Sequence, residues 1–269
     1  MSNLHIYAES GAIGDTALNL CRQHIALSIG GHDKAIIHTT PFLIANGINI
    51  PSSPIVHEIW RRTNFIKEVA MDVEHGNENT FKFSNKYNVP IEHPMTGRDY
   101  NDIREWVDLS DLIPNVPGDK IALFQPISLR MKPKDHLDDY IPVWDRCLKT
   151  LINKGYKIIM VGAEDDPIHL CVKDKYIPYI ENHCGKWSIL ESIAFTIYRA
   201  NVVVSCDSWA GLWGIAARKK TAIAWGYRME NDIDFWVTNF LGNRDCYKYG
   251  WSSQKEYCDA LLASYLGSL

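Results

Sequence analysis

The sequence has no pair of cysteines spaced Cys-x-x-Cys. Its seven cysteines, at 21, 147, 171, 184, 206, 246 and 258, are scattered and odd in number. Neither a disulfide framework nor a zinc ribbon is written into such a pattern, and free thiols in a reducing compartment are the expectation. No apolar run approaches the roughly 18 residues of a membrane span. No N-terminal stretch combines a basic start, an apolar core and a small-residue cleavage site. A soluble, cytoplasmic chain is therefore expected. An excess of basic charge is also missing: 28 Lys+Arg stand against 32 Asp+Glu, a formal net charge of −4. No global positive field argues for nucleic acid, although a local basic groove stays compatible with it. What is present is ordinary for a globular protein. The 269 residues are 46% hydrophobic and 22% charged, enough for one large or two small domains.

Alternation of apolar runs with helical periodicity runs along the whole chain. Leu4 to Ala8 reads as a strand, residues 10–14 as a small-residue turn, and Asp15 as the start of a helix with Leu18, Cys21 and Ile25 on one face. Gly30-Gly31 ends that helix, and Lys34 to His38 is the next strand. Between 40 and 100 the reading is coarser, with short strands over Phe65 to Val73 and Thr80 to Phe83 and loops punctuated by Asn46-Gly47, Pro51 and Pro54. A helix over Asp99 to Leu112 is expected to turn Ile103, Trp106 and Val107 inward. The turn-rich stretch Pro114 to Asp119 is the candidate domain boundary.

The second half restarts the same grammar. Ile121 to Gln125, Lys157 to Val161, Val202 to Cys206 and Thr221 to Trp225 read as strands. His136 to Asn153 is a helix with Leu137, Ile141, Trp144, Leu148 and Leu151 in register, stopped near Gly155. Ser188-Ile189-Leu190-Glu191 is a capping box that opens a helix to about Arg199. Gly211 to Arg218 is a short helix and Gln254 to Leu266 a closing one. Two βα arrays joined near residue 117 imply two Rossmann-like parallel-sheet domains, residues 1–117 and 118–269, facing a cleft, with the last helix free to pack back on the first domain.

Three segments of the second half carry a family resemblance. The first is Gly118 to Pro126 followed by Ser128 and Lys132. The second is Gly155 to Glu164. The third runs from Gly185-Lys186-Trp187-Ser188-Ile189-Leu190-Glu191 through Ala200-Asn201-Val202-Val203-Val204-Ser205-Cys206-Asp207-Ser208. Together they resemble the heptosyltransferase group of glycosyltransferases, glycosyltransferase family 9, which transfers heptose from ADP-heptose in lipopolysaccharide assembly. Gly14-Asp15 matches the family's early Gly-Asp. The resemblance implies a GT-B fold, an inverting transfer from a nucleotide-diphosphate sugar bound by the second domain, and an acceptor held by the first. It departs in two places: Trp209 stands where the family has a glycine after Asp-Ser, and Leu212 stands where it has a histidine. Those departures argue against a true heptosyltransferase more than against a glycosyltransferase.

By that resemblance Asp15 is the catalytic base and Gly14 lies on the acceptor side. Read from position alone, Asp15 is a helix N-cap. Ser128 and Lys132 would contact the donor diphosphate, a cation there offsetting charge on the leaving group, with Arg130 a neighbouring competitor and a solvated loop the plain alternative. Glu164, with Asp165 and Asp166, would meet the ribose or form a solvated acidic loop. Trp187 would stack on the nucleobase or belong to the core. Asp207, Ser208 and Gly211 sit where a buried strand gives way to a helix, a place for an anion, or else Asp207 and Ser208 merely cap that helix.

No metal is expected. The pairs His169 and Cys171, or His183 and Cys184, lack zinc-site spacing, and Asp232-Ile233-Asp234 is too short a signal. The nucleotide sugar is the only co-substrate, and the acceptor is a glycan or lipopolysaccharide-like saccharide. Three alternatives stay open: transfer to hydroxylated bases of DNA, through basic spots at 61–67 and 218–220; a nucleotide-sugar epimerase of the same fold; and a degenerate protein that only binds. Sequence does not choose an oligomeric state.

Overall fold

The structure, a computed structural model, describes residues 3–8, 13–39, 42–45, 48–51, 54–72, 102–127, 137–166, 172–206, 208–224, 246–249 and 264–268. The chain is α/β, as its alternating pattern predicts, and forms two compact units. One runs as far as Asp108 and the other begins at Leu109. The turn-rich stretch 114–119 belongs to the second: Val116 is buried in its core, and Arg199 Nη2 donates to the carbonyls of Val116 and Gly118, both at 3.0 Å.

The first unit contains β1 (Leu4–Ala8), α1 (Ile13–Gly30), β2 (Ala35–Thr39), β3 (Phe42–Ala45), β4 (Ile48–Pro51), α2 (Pro54–Arg61) and β5 (Ile66–Ala70). β1, β2 and β5 form a parallel sheet in the order β1-β2-β5. α1 stops where Gly31 takes φ +65, and the His32 N–H closes on the Leu27 carbonyl at 3.1 Å. That left-handed residue is what glycine supplies without steric cost. Three elements lie outside the sequence reading, β3, β4 and α2. β3 and β4 pair antiparallel, with Ala45 opposite Ile48. α2 starts at Pro54, whose missing N–H costs nothing in a first turn, and buries Val56, His57, Ile59 and Trp60.

The expected helix over 99–112 is not formed among its described residues. Two 3-10 turns, Ile103–Glu105 and Ser110–Leu112, stand there instead. The inward residues are right, since Ile103, Trp106 and Val107 are buried. The backbone is otherwise engaged: Asn64 N–H bonds the Trp106 carbonyl at 2.7 Å and Asp108 N–H bonds the Arg62 carbonyl at 3.0 Å. These cross-chain bonds take groups that a continuous helix would need. The strand expected over 80–83 lies outside the described residues. So does most of the closing helix, of which 264–268 are helical, with Leu266 buried in the second unit's core.

The second unit contains β6 (Ile121–Gln125), α3 (Leu137–Asn153), β7 (Lys157–Met160), a 3-10 turn (Asp174–Tyr179), β8 (Ile180–Asn182), α4 (Ile189–Tyr198), β9 (Val202–Cys206), α5 (Trp209–Ala216), β10 (Lys220–Ala224) and β11 (Cys246–Tyr249). Its six strands are all parallel, in the order β11-β10-β9-β6-β7-β8. β6 and β9 are buried along their whole length, as central strands covered on both faces must be. Alternate residues divide the core. Ala122, Phe124, Val202 and Val204 pack with Trp144, Leu148 and Leu151 of α3, whereas Ile121, Leu123 and Val203 pack with Phe195 of α4 and Ala210 of α5. Each fully buried large apolar side chain contributes about 1.5–3 kcal/mol. α3 ends at Gly155, φ +73, with Tyr156 and Gly155 N–H groups bonding the Leu151 and Ile152 carbonyls at 3.0 and 2.9 Å. α4 carries the predicted capping box: Glu191 N–H to Ser188 Oγ at 3.2 Å, and Ser188 N–H to Glu191 Oε2 at 2.7 Å. No described helix is long and apolar enough to cross a membrane.

Candidate functional site

The strand order singles out one corner as the candidate site. The chain builds β6, β7 and β8 outward in one direction, then returns to lay β9, β10 and β11 on the other side of β6. The connections therefore diverge at β6 and β9, which are neighbours in register, with Gln125 opposite Ser205. In open parallel sheets such a reversal leaves a crevice outside the carboxyl ends of the two strands.

At that point Ser208 Oγ donates to Gln125 Oε1 at 2.5 Å. Gln125 is 4% exposed. Ser208 is the N-cap residue of α5, yet its side chain makes no capping hydrogen bond. The capping role weighed for Ser208 is thus excluded: its hydroxyl is turned across to β6. An α-helix leaves its first N–H groups without intrahelical acceptors, and here that end opens beside the Gln125–Ser208 pair with the positive pole of the helix. Asp207, next in line, lies outside the described residues, as do Ser128, Arg130 and Lys132.

Gly211 is corrected. Its place after a buried strand reads as a glycine that keeps the backbone accessible to an anion. It is buried, and a β-carbon there would stand 2.6 Å from Ile223 Cδ1 and 2.7 Å from Ser205 Oγ. Its missing side chain lets α5 lie close on β9 and β10. Gly214, one turn later, faces Thr221 and Val203 in the same way, and Ala210 is buried too.

The other rim is built from the loops after β7 and β8. Asp166 Oδ2 accepts from the Ala163 N–H at 2.7 Å and so closes its own turn, while Glu164 is exposed at the tip. Gly185, φ +70, presses onto this loop: its N–H bonds the Gly162 carbonyl at 3.0 Å. Trp187 follows. It is half-buried, stacked on His183 at 4.1 Å between ring centroids and tilted against Phe195 at 4.9 Å. These contacts give Trp187 a structural role, beside which base stacking is a separate proposal. His183 Nε2 pairs with Glu181 Oε1 at 2.7 Å, and Lys157 holds the same carboxylate at 2.7 Å. These two partners, Lys157 first, lower the Glu181 pKa. Burial, with Asp166 adding, pushes the Cys184 thiol up to about 11, and burial pushes Cys21 up to about 12. Neither is a thiolate nucleophile at neutral pH.

Glu164, Trp187 and the pair Ser208 and Gly211 thus come from three sequence segments, which follow the carboxyl ends of β7, β8 and β9. Gln125 ends β6 between them. Sequence reasoning passed over Gln125, although an amide closing an otherwise apolar buried strand was a signal. Among the described residues no group of three or more His, Cys, Asp and Glu is placed to hold a metal ion.

In the first unit α1 starts at Ile13, so Gly14 and Asp15 are its second and third residues. The N-cap reading of Asp15 therefore fails, although an acid is also favoured in a first turn. Its side chain lies outside the described set, and Gly14 is half-buried. A polar chain crosses this unit's sheet: His5 Nδ1 lies 2.9 Å from His38 Nε2, and His38 Nδ1 lies 2.9 Å from Asp72 Oδ1. A neutral His38 that donates from Nδ1 to the Asp72 carboxylate accepts from His5 at Nε2.

No protein-family model matches the chain, and no curated protein is similar to it. Solved structures share its fold. A family 9 glycosyl transferase from Veillonella parvula superposes with a TM-score of 0.51 at 12% identity, over 95% of this chain and 87% of that one. The iron-containing dodecameric glycosyltransferase TibC from enterotoxigenic E. coli does so with a TM-score of 0.50 at 11% identity, over 98% and 73%.

Proposed function

We propose that this chain is a glycosyltransferase that binds a nucleotide-diphosphate sugar at the carboxyl edge of the second sheet and passes the sugar to an acceptor hydroxyl. The observation that carries the reading is the reversal of strand order at β6 and β9, with α5 opening there beside Ser208 and Gln125. A diphosphate suits that corner, because free N–H groups and a helix pole favour anions. The fold shared with a family 9 glycosyl transferase supports the same choice.

The reaction is a single displacement with inversion. The Asp15 carboxylate takes the proton from the acceptor hydroxyl while that oxygen attacks the anomeric carbon. The bond from that carbon to the diphosphate oxygen breaks, and the nucleoside diphosphate leaves with the electron pair. The α5 N–H groups, with Asp207, Ser128 and Lys132, bind the leaving group, Lys132 supplying positive charge. Glu164 bonds the ribose and Trp187 lies against the base. Gly14 leaves room for the acceptor, a saccharide. The reaction as written calls on no metal.

A panel of ADP-, UDP-, GDP- and CDP-sugars, in buffer with and without EDTA, tests the reading by thermal shift. A ligand at 100 times its Kd stabilises the fold by about 2.7 kcal/mol, so one nucleotide class should raise the unfolding temperature, with EDTA present as well. If no nucleotide sugar shifts the transition, the proposal fails. Asp15→Asn should bind the donor and lose turnover, and retained turnover would remove Asp15 from the reaction.

A further inference from the structure

The Ser208 hydroxyl has one proton, and its bond to Gln125 Oε1 uses it. Ser208 therefore has no proton to offer a phosphate. The Gln125 amide is different. Its oxygen is engaged, but among the described residues its Nε2, with two N–H donors, has no acceptor. The residue is 96% buried, being 4% exposed. Three side-chain atoms of described residues are sealed from solvent without a partner, Gln23 Oε1, Trp60 Nε1 and Trp144 Nε1. Gln125 Nε2 is not one of them. Gln125 shares a face of β6 with Ile121 and Leu123, the face packed with Ala210 of α5. An unpaired amide donor and the first turn of α5 thus occupy one corner.

We propose that Gln125, not Ser208, is the side chain that reads the diphosphate: Gln125 Nε2 donates to a phosphate oxygen, and Ser208 is a positioning residue that holds the amide with its oxygen inward and its nitrogen outward. This deepens the nucleotide-sugar reading and rests on it. The amide is a neutral donor held in place by the N-cap residue of α5, and it selects for an anion by geometry rather than by net charge.

The test is calorimetric titration of the full chain with ADP, UDP, GDP, CDP and inorganic diphosphate, with unfolding midpoints measured without ligand. Gln125→Met should weaken binding about tenfold or more, the loss of a hydrogen bond to a charged group. Gln125→Glu keeps an acceptor for Ser208 but replaces the N–H donors with negative charge, and should lose at least as much. Being isosteric, it carries the test if the Met variant unfolds. Ser208→Ala should lose about three- to tenfold, and Gln125→Met with Ser208→Ala should bind no more weakly than Gln125→Met alone. Wild-type affinity in Gln125→Glu overturns the inference, as do losses at the two positions that add fully. If the wild type binds a nucleoside diphosphate and both Gln125 variants match it, this inference alone falls. If the wild type binds none of the probes, the nucleotide-sugar reading falls and this one with it.

Discussion

A β-carbon on Gly185 would lie 2.8 Å from Glu164 Cα, so the loops after β7 and β8 meet backbone to backbone. Gly185 also needs φ +70, where an L side chain costs about 1–2 kcal/mol. Gly185→Ala should therefore destabilise the protein by more than that, because strain and clash add. Gly155→Ala is the control: φ +73 with nothing within 4 Å of its β-carbon. Urea unfolding should rank Gly185→Ala clearly below Gly155→Ala. Equal losses would mean the loops are not in contact.

Gly211→Ala tests whether that glycine serves packing. Alanine favours a helix by about 1 kcal/mol, but here its methyl meets Ile223 and Ser205. Overpacking costs about 1–3 kcal/mol. A net loss of stability is expected by denaturant unfolding, and a net gain would return Gly211 to the open-backbone reading.

Stability of the first unit should depend on pH through two histidines. Burial lowers the His24 pKa, with Glu105 opposing; burial lowers that of His57, with Arg61 adding. His24 stacks on Trp106 at 4.0 Å between ring centroids. A lowered folded-state value means that the unfolded chain binds the proton more readily. The stabilisation is complete above the unfolded value of about 6.5 and is lost as pH falls through the lower folded one. Unfolding temperatures should drop between pH 8 and pH 5.5, and His24→Gln should flatten that slope. An unchanged slope in the variant would contradict the assignment.

Asp145 should act at lower pH. Burial alone would raise its pKa, but hydrogen bonds from Lys175, Lys173 and Tyr176 outweigh it and bring it down to about 2. Its contribution is present above the unfolded value of about 4 and disappears as pH falls toward 2. Asp145→Asn should make the acid limb of a stability profile shallower below pH 4. An identical acid limb would exclude Asp145 as its source.

The second unit was the more legible one for a physical reason. Its central strands β6 and β9 are mostly apolar and buried throughout, and its helices carry explicit stops and starts at Gly155 and at Ser188 with Glu191. The first unit hides β3, β4 and α2 in a stretch where Asn46-Gly47, Pro51 and Pro54 give loop signals. The apolar spacing of Ile103, Trp106 and Val107 reported burial correctly and conformation wrongly, because 3-10 turns bridged to residues 62–64 bury the same side chains as a helix would. At the site, local pattern identified the strand-to-helix corner at Ser208. It missed Gln125, because the bond between them joins residues 83 apart in sequence and follows from strand order alone.

Hydrogen exchange with and without the nucleotide sugar that binds most tightly tests the central claim most directly. Saturating donor should slow exchange in the first turn of α5, Trp209 to Gly211, and in the loop at Ala163 and Glu164, with α3 unaffected. Tight binding with no protection at α5, or protection confined to the first unit, would contradict a donor site at the carboxyl edge of the second sheet.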